Sequence, residues 1–459
     1  MAIHLDLTGL LADEPMRHAF HDAMPRAIAA REAHLAAEPR WRGLHAEREF
    51  LATCRARAEE VRAAGPVEVF VVLGIGGSAL GNTAMVHALS PFYQEWNPDE
   101  GHPRVFVLDN VDPDWLGEFF AEVPLERAHV NVISKSGGTI ETSAQFLLAW
   151  HHMLAACGGD EAAARARFTL TTDDEKGHFR ALADEQGFAT LSVPDGVGGR
   201  FSVLSPVGLF TAVMAGIDAE GLLDGAARVD AKLREAAPED DAALMYALAH
   251  VLHLEAGRNV HVQFAYSQRL RSMADWFKQL WAESLGKAHD LAGRKVHVGP
   301  TPAKAVGPTD QHSQSQLYVE GPDDKVFTIL KLDRFSHEVA VPAPFADSPA
   351  FAPLLGRSLN ELMEQERRGT EVALLEAGRP VCVLEMCKLD AFHVGQYFLL
   401  MEVATAYAGH LMGINPFDQP GVEAGKVAAL ALMGCEGYEQ RAAEIEAAFA
   451  ARETVRVSC

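Results

Sequence analysis

Short runs of β-branched and aromatic residues alternate with helical stretches along most of the chain, and this alternation constrains the fold more than any other feature. Five such runs stand in the first half: VEVFVVLG (67–74), RVFVLDN (104–110), HVNVISK (129–135), RFTLTT (167–172) and ATLSV (189–193). Helical stretches such as DPDWLGEFFAEV separate them. This alternation predicts a parallel sheet with helices on both faces, which is the doubly wound α/β class.

The same alternation recurs in the second half of the chain. The predicted strands there are NVHVQFAY (259–266), KVHVG (295–299), KVFTILKL (325–332) and PVCVLEM (380–386). Because 459 residues are too many for one ordinary core, we predict two α/β domains, over residues 60–215 and 258–435. A helical segment over 1–60 and a C-terminal helix over 436–459 are expected to flank them.

The composition is globular but strongly acidic, with 48% hydrophobic residues and a formal net charge of −23. Such a surplus repels nucleic acid and anionic membrane surfaces, so any anion site has to be a local pocket. The six cysteines form no CxxC pair, which is typical of reduced thiols in a cytosol. The opening residues, MAIHLDLTGLLADEP, lack the basic region of a signal peptide, so a cytoplasmic protein is expected.

One stretch, YFLLMEVATAYAGHLMGI (397–414), is long enough to cross a membrane. It contains Glu402 and His410, however, and ionisable side chains are costly in a lipid core. We therefore expect a helix that is buried in a large protein core.

Ligands of open α/β sheets bind at the carboxyl ends of the strands, so the loops there are the expected sites. The first loop, LGIGGSALGN (73–82), has the strand–glycine–helix pattern that directs backbone amides at an anion. A dinucleotide is a competing interpretation, because Gly74, Gly76 and Ala79 fit GxGxxG/A and Asp109 ends the next strand. The separation of Gly74 and Asp109 is longer than the usual ~20 residues, which weakens that alternative.

The second loop, SKSGGT (134–139), favours a phosphate over a dinucleotide. Ser134, Ser136 and Thr139 supply hydroxyl groups, Lys135 supplies a point charge, and the two glycines supply free amides. A terminal phosphate has three oxygens to surround, whereas a dinucleotide has no need of this second polar loop. The two loops together therefore predict a phosphomonoester site.

Two further segments carry an arginine and a glutamate. The third loop, GVGGRFSVLSPVG (196–208), brings the planar, permanently charged Arg200 to the end of the fifth strand. A predicted helix over 271–287 places Gln279 and Glu283 four residues apart, where they are neighbours. Glu283 is close to the helix C-terminus, where the helix dipole makes a negative charge costly. Alone, either segment would also fit a structural salt bridge or a solvated glutamate.

The last two segments carry a histidine and a lysine. GPTDQHSQSQLYVEGP (307–322) places His312 where a turn enters a helix, which suits acid–base chemistry near neutral pH. NPFDQPGVEAGK (415–426) has a Pro/Gly break that leads into a helix bearing Lys426. The chain has no HExxH motif, and we predict neither a metal nor another cofactor.

These stretches resemble the glucose-6-phosphate isomerase family in its shorter bacterial form. DGVGGRFSVLSPVG and FDQPGVEAGK are similar to two signatures of that family, and four other segments match in the same order: GIGGS, SKSGGT, WAESLGK and GPTDQHSQSQ. The resemblance spans about residues 67–430. It implies two sugar-isomerase (SIS) domains and a homodimeric aldose–ketose isomerase that works without a cofactor.

The resemblance also implies a role for each matching residue. It makes Glu283 the base that moves a proton between two sugar carbons and Arg200 the stabiliser of the enediolate. It makes His312, assisted by Lys426, the group that opens the sugar ring, with the histidine supplied by the partner subunit. The substrate-binding residues that it implies are Gly77, Ser78, Ser134, Lys135, Ser136, Thr139, Gln279 and Gln419.

One position departs from the family pattern, and two alternative functions stay open. Bacterial members usually read SKSGTT, whereas this chain has Gly138 in place of the first threonine. Since one neutral hydrogen bond contributes roughly 0.5–1.5 kcal/mol, we expect weaker substrate binding at most. The alternatives are an isomerase for another sugar phosphate and a non-catalytic SIS sensor, which would have no use for Glu283, His312 and Arg200 together.

Overall fold

The computed structural model describes residues 3–457. Its strands, in chain order, are β1 (His4–Asp6), β2 (Val69–Leu73), β3 (Arg104–Leu108), β4 (Ala128–Ile133), β5 (Phe168–Thr172), β6 (Ala189–Ser192), β7 (Val260–Ala265), β8 (Lys287–His289), β9 (Lys295–Val298), β10 (Thr301–Val306), β11 (Lys325–Arg334) and β12 (Val381–Lys388). They form two five-stranded sheets and one small hairpin.

The first sheet is parallel throughout and has the strand order β3-β2-β4-β5-β6. Counted along the chain within this sheet, the order is 2-1-3-4-5, which is that of a doubly wound fold. Strands β2, β4 and β5 are buried along their whole length because helices cover both faces. The strand order reverses at β2, so a crevice lies outside the carboxyl ends of β2 and β4.

The second sheet has the order β1-β12-β11-β7-β10 and is parallel except for β1, which pairs antiparallel with β12. The prediction that KVHVG belongs to this sheet is wrong, because β9 is largely exposed and pairs only with β8 in the hairpin. The edge strand is instead β10, which contains Pro302. An edge tolerates proline because its missing N–H group faces away from the ladder.

The helices of the described residues are α1 (Glu14–Ala37), α2 (Arg48–Ala63), α3 (Leu80–Leu89), α4 (Pro113–Glu122), α5 (Ile140–Ala156), α6 (Glu161–Ala166), α7 (His178–Gln186), α8 (Pro206–Met214), α9 (Ala219–Glu235), α10 (Ala242–Glu255), α11 (Arg271–Leu285), α12 (Gln311–Glu320), α13 (Leu359–Glu376), α14 (Ala391–Leu411), α15 (Pro420–Leu432) and α16 (Glu439–Ala450). The predicted helical segment 1–60 also contains β1, so it is not purely helical. The predicted domain boundaries stay a prediction.

Helix α14 lies at the centre of the largest core, packed against α1, α9, α10 and α11. Almost every residue of this helix is buried, which confirms the expectation for residues 397–414. Within it, burial raises the pKa of Glu402 well above its usual range. Among the helices of residues 3–457, none combines the length and apolar character that a membrane span requires.

Candidate active site

Three loops of the first sheet meet at the crevice beside β2 and β4. A Cβ atom placed on Gly77 would lie 2.2 Å from the carbonyl carbon of Gly199 and 2.6 Å from the backbone nitrogen of Arg200. Only glycine allows such an approach, so the first loop contacts the third through backbone atoms. This contact sets the position of Arg200 relative to the glycine loop.

The SKSGGT loop is shaped by its own hydroxyl groups. Ser134 Oγ accepts a hydrogen bond from the Gly137 backbone N–H at 3.1 Å, and Ser136 Oγ accepts one from Gly138 at 3.1 Å. Lys135 Nζ donates to the carbonyl of Val197 in the third loop at 3.3 Å. The hydroxyls and the ammonium therefore lie at the same edge of the sheet as the glycine loop, as expected for an anion site.

Gly138, which departs from the family pattern, is not required by steric crowding. A Cβ atom at this position would make an ordinary contact of 3.5 Å with Ser136 Oγ. A larger side chain therefore fits at position 138 without a backbone clash.

Arg200 is buried and joins α11 to the segment that precedes α15. Its guanidinium donates to Ser284 Oγ (2.7 Å), Glu283 Oε2 (3.3 Å), Gln419 Oε1 (2.9 Å), the Pro416 carbonyl (2.7 Å) and the Asp418 carbonyl (3.2 Å). Burial lowers the pKa of Arg200, while the charges of Glu283 and Asp418 oppose that shift. The guanidinium stays charged because the ordinary pKa of arginine is so high.

Glu283 accepts hydrogen bonds from this guanidinium and from Gln279, which in turn contacts the glycine loop. Its Oε1 atom accepts a hydrogen bond from Gln279 Nε2 at 3.1 Å, and its side chain is 31% exposed. A Cβ atom on Gly76 would lie 2.8 Å from the same Gln279 nitrogen, so α11 contacts the first loop. A partly exposed carboxylate therefore stands beside a buried cation at the mouth of the crevice.

Two residues of WAESLGK that sequence reasoning passed over belong to this group. Ser284 accepts the Arg200 Nε hydrogen bond, and Lys287 donates to the Asp418 carbonyl at 2.9 Å. The spacing of four residues between Glu283 and Lys287 was the available signal, since it brings the lysine back to the last turn of the helix.

The N-terminal segment, which carried no site signature, packs behind Arg200. The indole ring of Trp41 lies 4.7 Å from the ring of Phe201 and 6.2 Å from that of Phe417. Phe201 follows Arg200 in the chain, and Phe417 lies between Pro416 and Asp418, whose carbonyls accept from Arg200. Trp41 therefore packs against both segments that meet at Arg200. No local sequence pattern indicated this contact.

His312 and Lys426 are not joined to this group. His312 is exposed near the start of α12, at the turn-to-helix position that the sequence predicted. Lys426 is half exposed on α15 and pairs with Glu423 of the same helix at 2.9 Å. Within residues 3–457, neither side chain makes a hydrogen bond or ion pair with Glu283 or Arg200.

Fold and site together define a class. A doubly wound α/β protein with glycine–serine loops at the switch point, and a carboxylate–guanidinium pair beside them, has the make-up of a protein that binds a phosphorylated small molecule. A family model described as phosphoglucose isomerase matches residues 36–449. The chain belongs to the phosphoglucose isomerase family.

Several known proteins are similar over nearly the whole chain. The glucose-6-phosphate isomerase of Rubrobacter xylanophilus is 44% identical over 415 residues, covering 90% of this chain and 93% of that protein. The glucose-6-phosphate isomerase of Carboxydothermus hydrogenoformans is 42% identical over 404 residues, covering 86% and 85%.

Two solved structures share the fold. A hypothetical protein from Thermus thermophilus superposes with a TM-score of 0.83 at 35% identity, covering 93% of this chain and 98% of that one. A glucose-6-phosphate isomerase from Chlamydia trachomatis gives a TM-score of 0.73 at 23% identity, covering 87% and 76%. At that identity, the second likeness concerns the fold alone.

Proposed function

We propose that this chain interconverts glucose 6-phosphate and fructose 6-phosphate, in glycolysis and gluconeogenesis, as a cytoplasmic homodimer. The observation that carries the proposal is the contact of Glu283 with Arg200 beside the crevice where both phosphate loops contact the third loop. Membership of the phosphoglucose isomerase family supports the same reaction.

Binding of the substrate begins at the phosphate. Ser78, Ser134, Ser136 and Thr139, with Lys135 and the amide of Gly77, surround its oxygens. Hydroxyls and backbone amides donate hydrogen bonds to the anion, and the start of α5 adds a favourable helix dipole. The phosphate thereby fixes the sugar in one orientation, with its reactive end toward Glu283.

Proton transfer falls to Glu283. Its carboxylate removes the proton from C2 of the open-chain aldose and returns it to C1. The proton of the C2 hydroxyl passes to the C1 oxygen, so the carbonyl shifts from C1 to C2. A positioned carboxylate suits such proton transfer, and Gln279 Nε2 donates a hydrogen bond to one of its oxygens. Gln279 and Gln419 line the substrate pocket on either side of the base.

Stabilisation of the enediolate falls to Arg200. The negative charge that develops on the sugar oxygen is offset by a buried guanidinium that is already held in place by α11 and the 416–419 segment. A preorganised cation does not have to reorient during the reaction, and such donors are worth about 10²–10³ in turnover.

Ring opening needs a proton at the ring oxygen, which we assign to His312 with assistance from Lys426. Because His312 is exposed and unconnected to Glu283 of its own chain, we propose that it completes the site of the partner subunit. Histidine suits this step since its ordinary pKa lies near neutral pH.

The test is a coupled assay of the purified protein with fructose 6-phosphate in the presence of EDTA. We expect glucose 6-phosphate to form without added metal. A protein that binds the sugar phosphate but does not convert it would be a sensor, and the proposal would fall. Activity that disappears in EDTA and returns with a divalent ion would overturn the metal-free mechanism.

A further inference from the structure

Lys287 is a buried lysine at the end of the helix that carries Glu283. Its side chain is only 5% exposed, and it is the first residue after α11 to enter β8. An ammonium group has three donors. Here they reach the carbonyl oxygens of Glu283 at 2.6 Å, Ser284 at 3.1 Å and Asp418 at 2.9 Å.

Two of these acceptors belong to the last turn of α11. The final carbonyl groups of a helix have no partner within the helix, and together they form the negative end of its dipole. A cation there relieves the repulsion that this end exerts on the nearby Glu283 carboxylate. Lys287 therefore supplies the positive charge that offsets the unfavourable placement of the Glu283 carboxylate near the helix C-terminus.

The third acceptor belongs to the segment that carries Gln419. The carbonyl of Asp418 accepts from both Lys287 and Arg200, and the Asp418 carboxylate lies 3.6 Å from Lys287 Nζ. Burial, and next the charge of Arg200, lower the pKa of Lys287. The helix of the base and the pocket segment are thus tied at one point by two buried cations.

We propose that Lys287 is a positioning residue for the isomerisation: it holds the Glu283 carboxylate in place against the Gln419 segment and favours its charged form. This inference rests on the proposed function. Lys287 donates to three backbone carbonyls and lies beside the Asp418 carboxylate, so we assign it a role through Glu283 and not a direct one in the reaction. A lysine with a merely structural role would contribute to stability and leave the pH dependence of turnover unchanged.

The test compares Lys287→Met with a matched control, Lys325→Met. Lys325 is also buried, with 7% exposure, and donates to the Pro322 carbonyl and to Asp324 away from the site. We expect Lys287→Met to lower kcat by about 10–10², the loss that a displaced catalytic group causes. KM should stay within about twofold of the native value, because the partners of Lys287, which are Glu283, Ser284 and Asp418, lie outside the phosphate loops.

The pH profile separates positioning from stability. The charged groups around Glu283 are Arg200, Lys287 and Asp418, and loss of one cation disfavours the carboxylate. The acid side of the kcat/KM profile should therefore move to higher pH in Lys287→Met and stay unmoved in Lys325→Met. Thermal unfolding of both variants shows whether the two losses of stability are similar.

Each outcome decides the matter. If the native enzyme isomerises and folded Lys287→Met has the same kcat and pH profile, the positioning role is refuted. Absence of isomerisation in the native protein would instead refute the proposed function. If Lys287→Met does not fold, Lys287→Gln, which keeps a donor, should show the same split. Failure of both to fold, with Lys325→Met folded, would make Lys287 a structural residue only.

Discussion

Arg200 and Glu283 are linked by contacts within the chain, whereas His312 and Lys426 have exposed side chains. Arg200 is buried, has an acceptor for every nitrogen of its guanidinium, and bridges segments far apart in sequence. His312 and Lys426 are exposed on helices α12 and α15, and of residues 420–432 only Ala431 is buried. The difference separates the contacts that this chain completes by itself from the two residues whose roles depend on the proposed dimer.

The largest expected effect concerns the first group. Glu283→Gln keeps the shape of the side chain and removes its basicity, so turnover should fall by about 10²–10⁴ while the substrate still binds. The matched control is Glu402→Gln, which changes a carboxyl group of the central core whose pKa burial raises well above its usual range. Steady-state kinetics and substrate binding measure both. Near-native turnover in folded Glu283→Gln would show that the base lies elsewhere.

The next effect concerns the SKSGGT loop, whose shape is set by hydrogen bonds within the chain. Ser136→Ala combined with Thr139→Ala removes two hydroxyl groups, and KM for glucose 6-phosphate should rise by about 5–150-fold. An unphosphorylated inhibitor should bind as before, because these hydroxyls are assigned to phosphate oxygens alone. Thr53→Ala on α2 is the control for loss of a remote hydroxyl. Equal weakening of both ligands would indicate a collapsed loop.

A gain is expected at position 138. Gly138→Thr restores the family hydroxyl in a place where a side chain makes only ordinary contacts. One added neutral hydrogen bond should lower KM by about 2–12-fold with kcat little changed. A rise in KM would mean that the open loop itself matters for binding.

The smallest effect, a factor of two in activity, tests the proposed role of His312 in the partner's site most directly. A mixed dimer of a Glu283→Gln chain and a His312→Ala chain has one site with both lesions and one with neither, if His312 acts on the partner. Activity should then be about half the native value, provided that the two sites are independent. If both residues act within one chain, each site carries one lesion and the mixed dimer stays as inactive as its parents.

The sequence predicted the first sheet well and also the position of the glycine and serine loops at the ends of its strands, because both depend on local signals. Buried parallel strands appear in the sequence as apolar runs, and a run of glycine and serine after a strand indicates a loop that leads into a helix. It failed where tertiary context decides: KVHVG alternates like a strand but lies in an exposed hairpin, while TPAKAV forms a sheet strand despite Pro302. At the site, Ser284 has Arg200 as a partner and Lys287 has the distant Asp418 in addition to its local acceptors, and no local pattern connects these distant residues.

The short strand β1 has a consequence for how the protein behaves in solution. Residues 4–6 pair with Val383, Leu384 and Glu385 along the outer side of β12. Gly9 then crosses so close to β12 that a Cβ atom would lie 2.4 Å from the Val381 carbonyl. Without β1, the second sheet would present an open row of N–H and C=O groups, which templates edge-to-edge aggregation. Residues 4–6 cover that edge of β12, and we expect a variant in which they cannot pair to lose solubility before it loses activity.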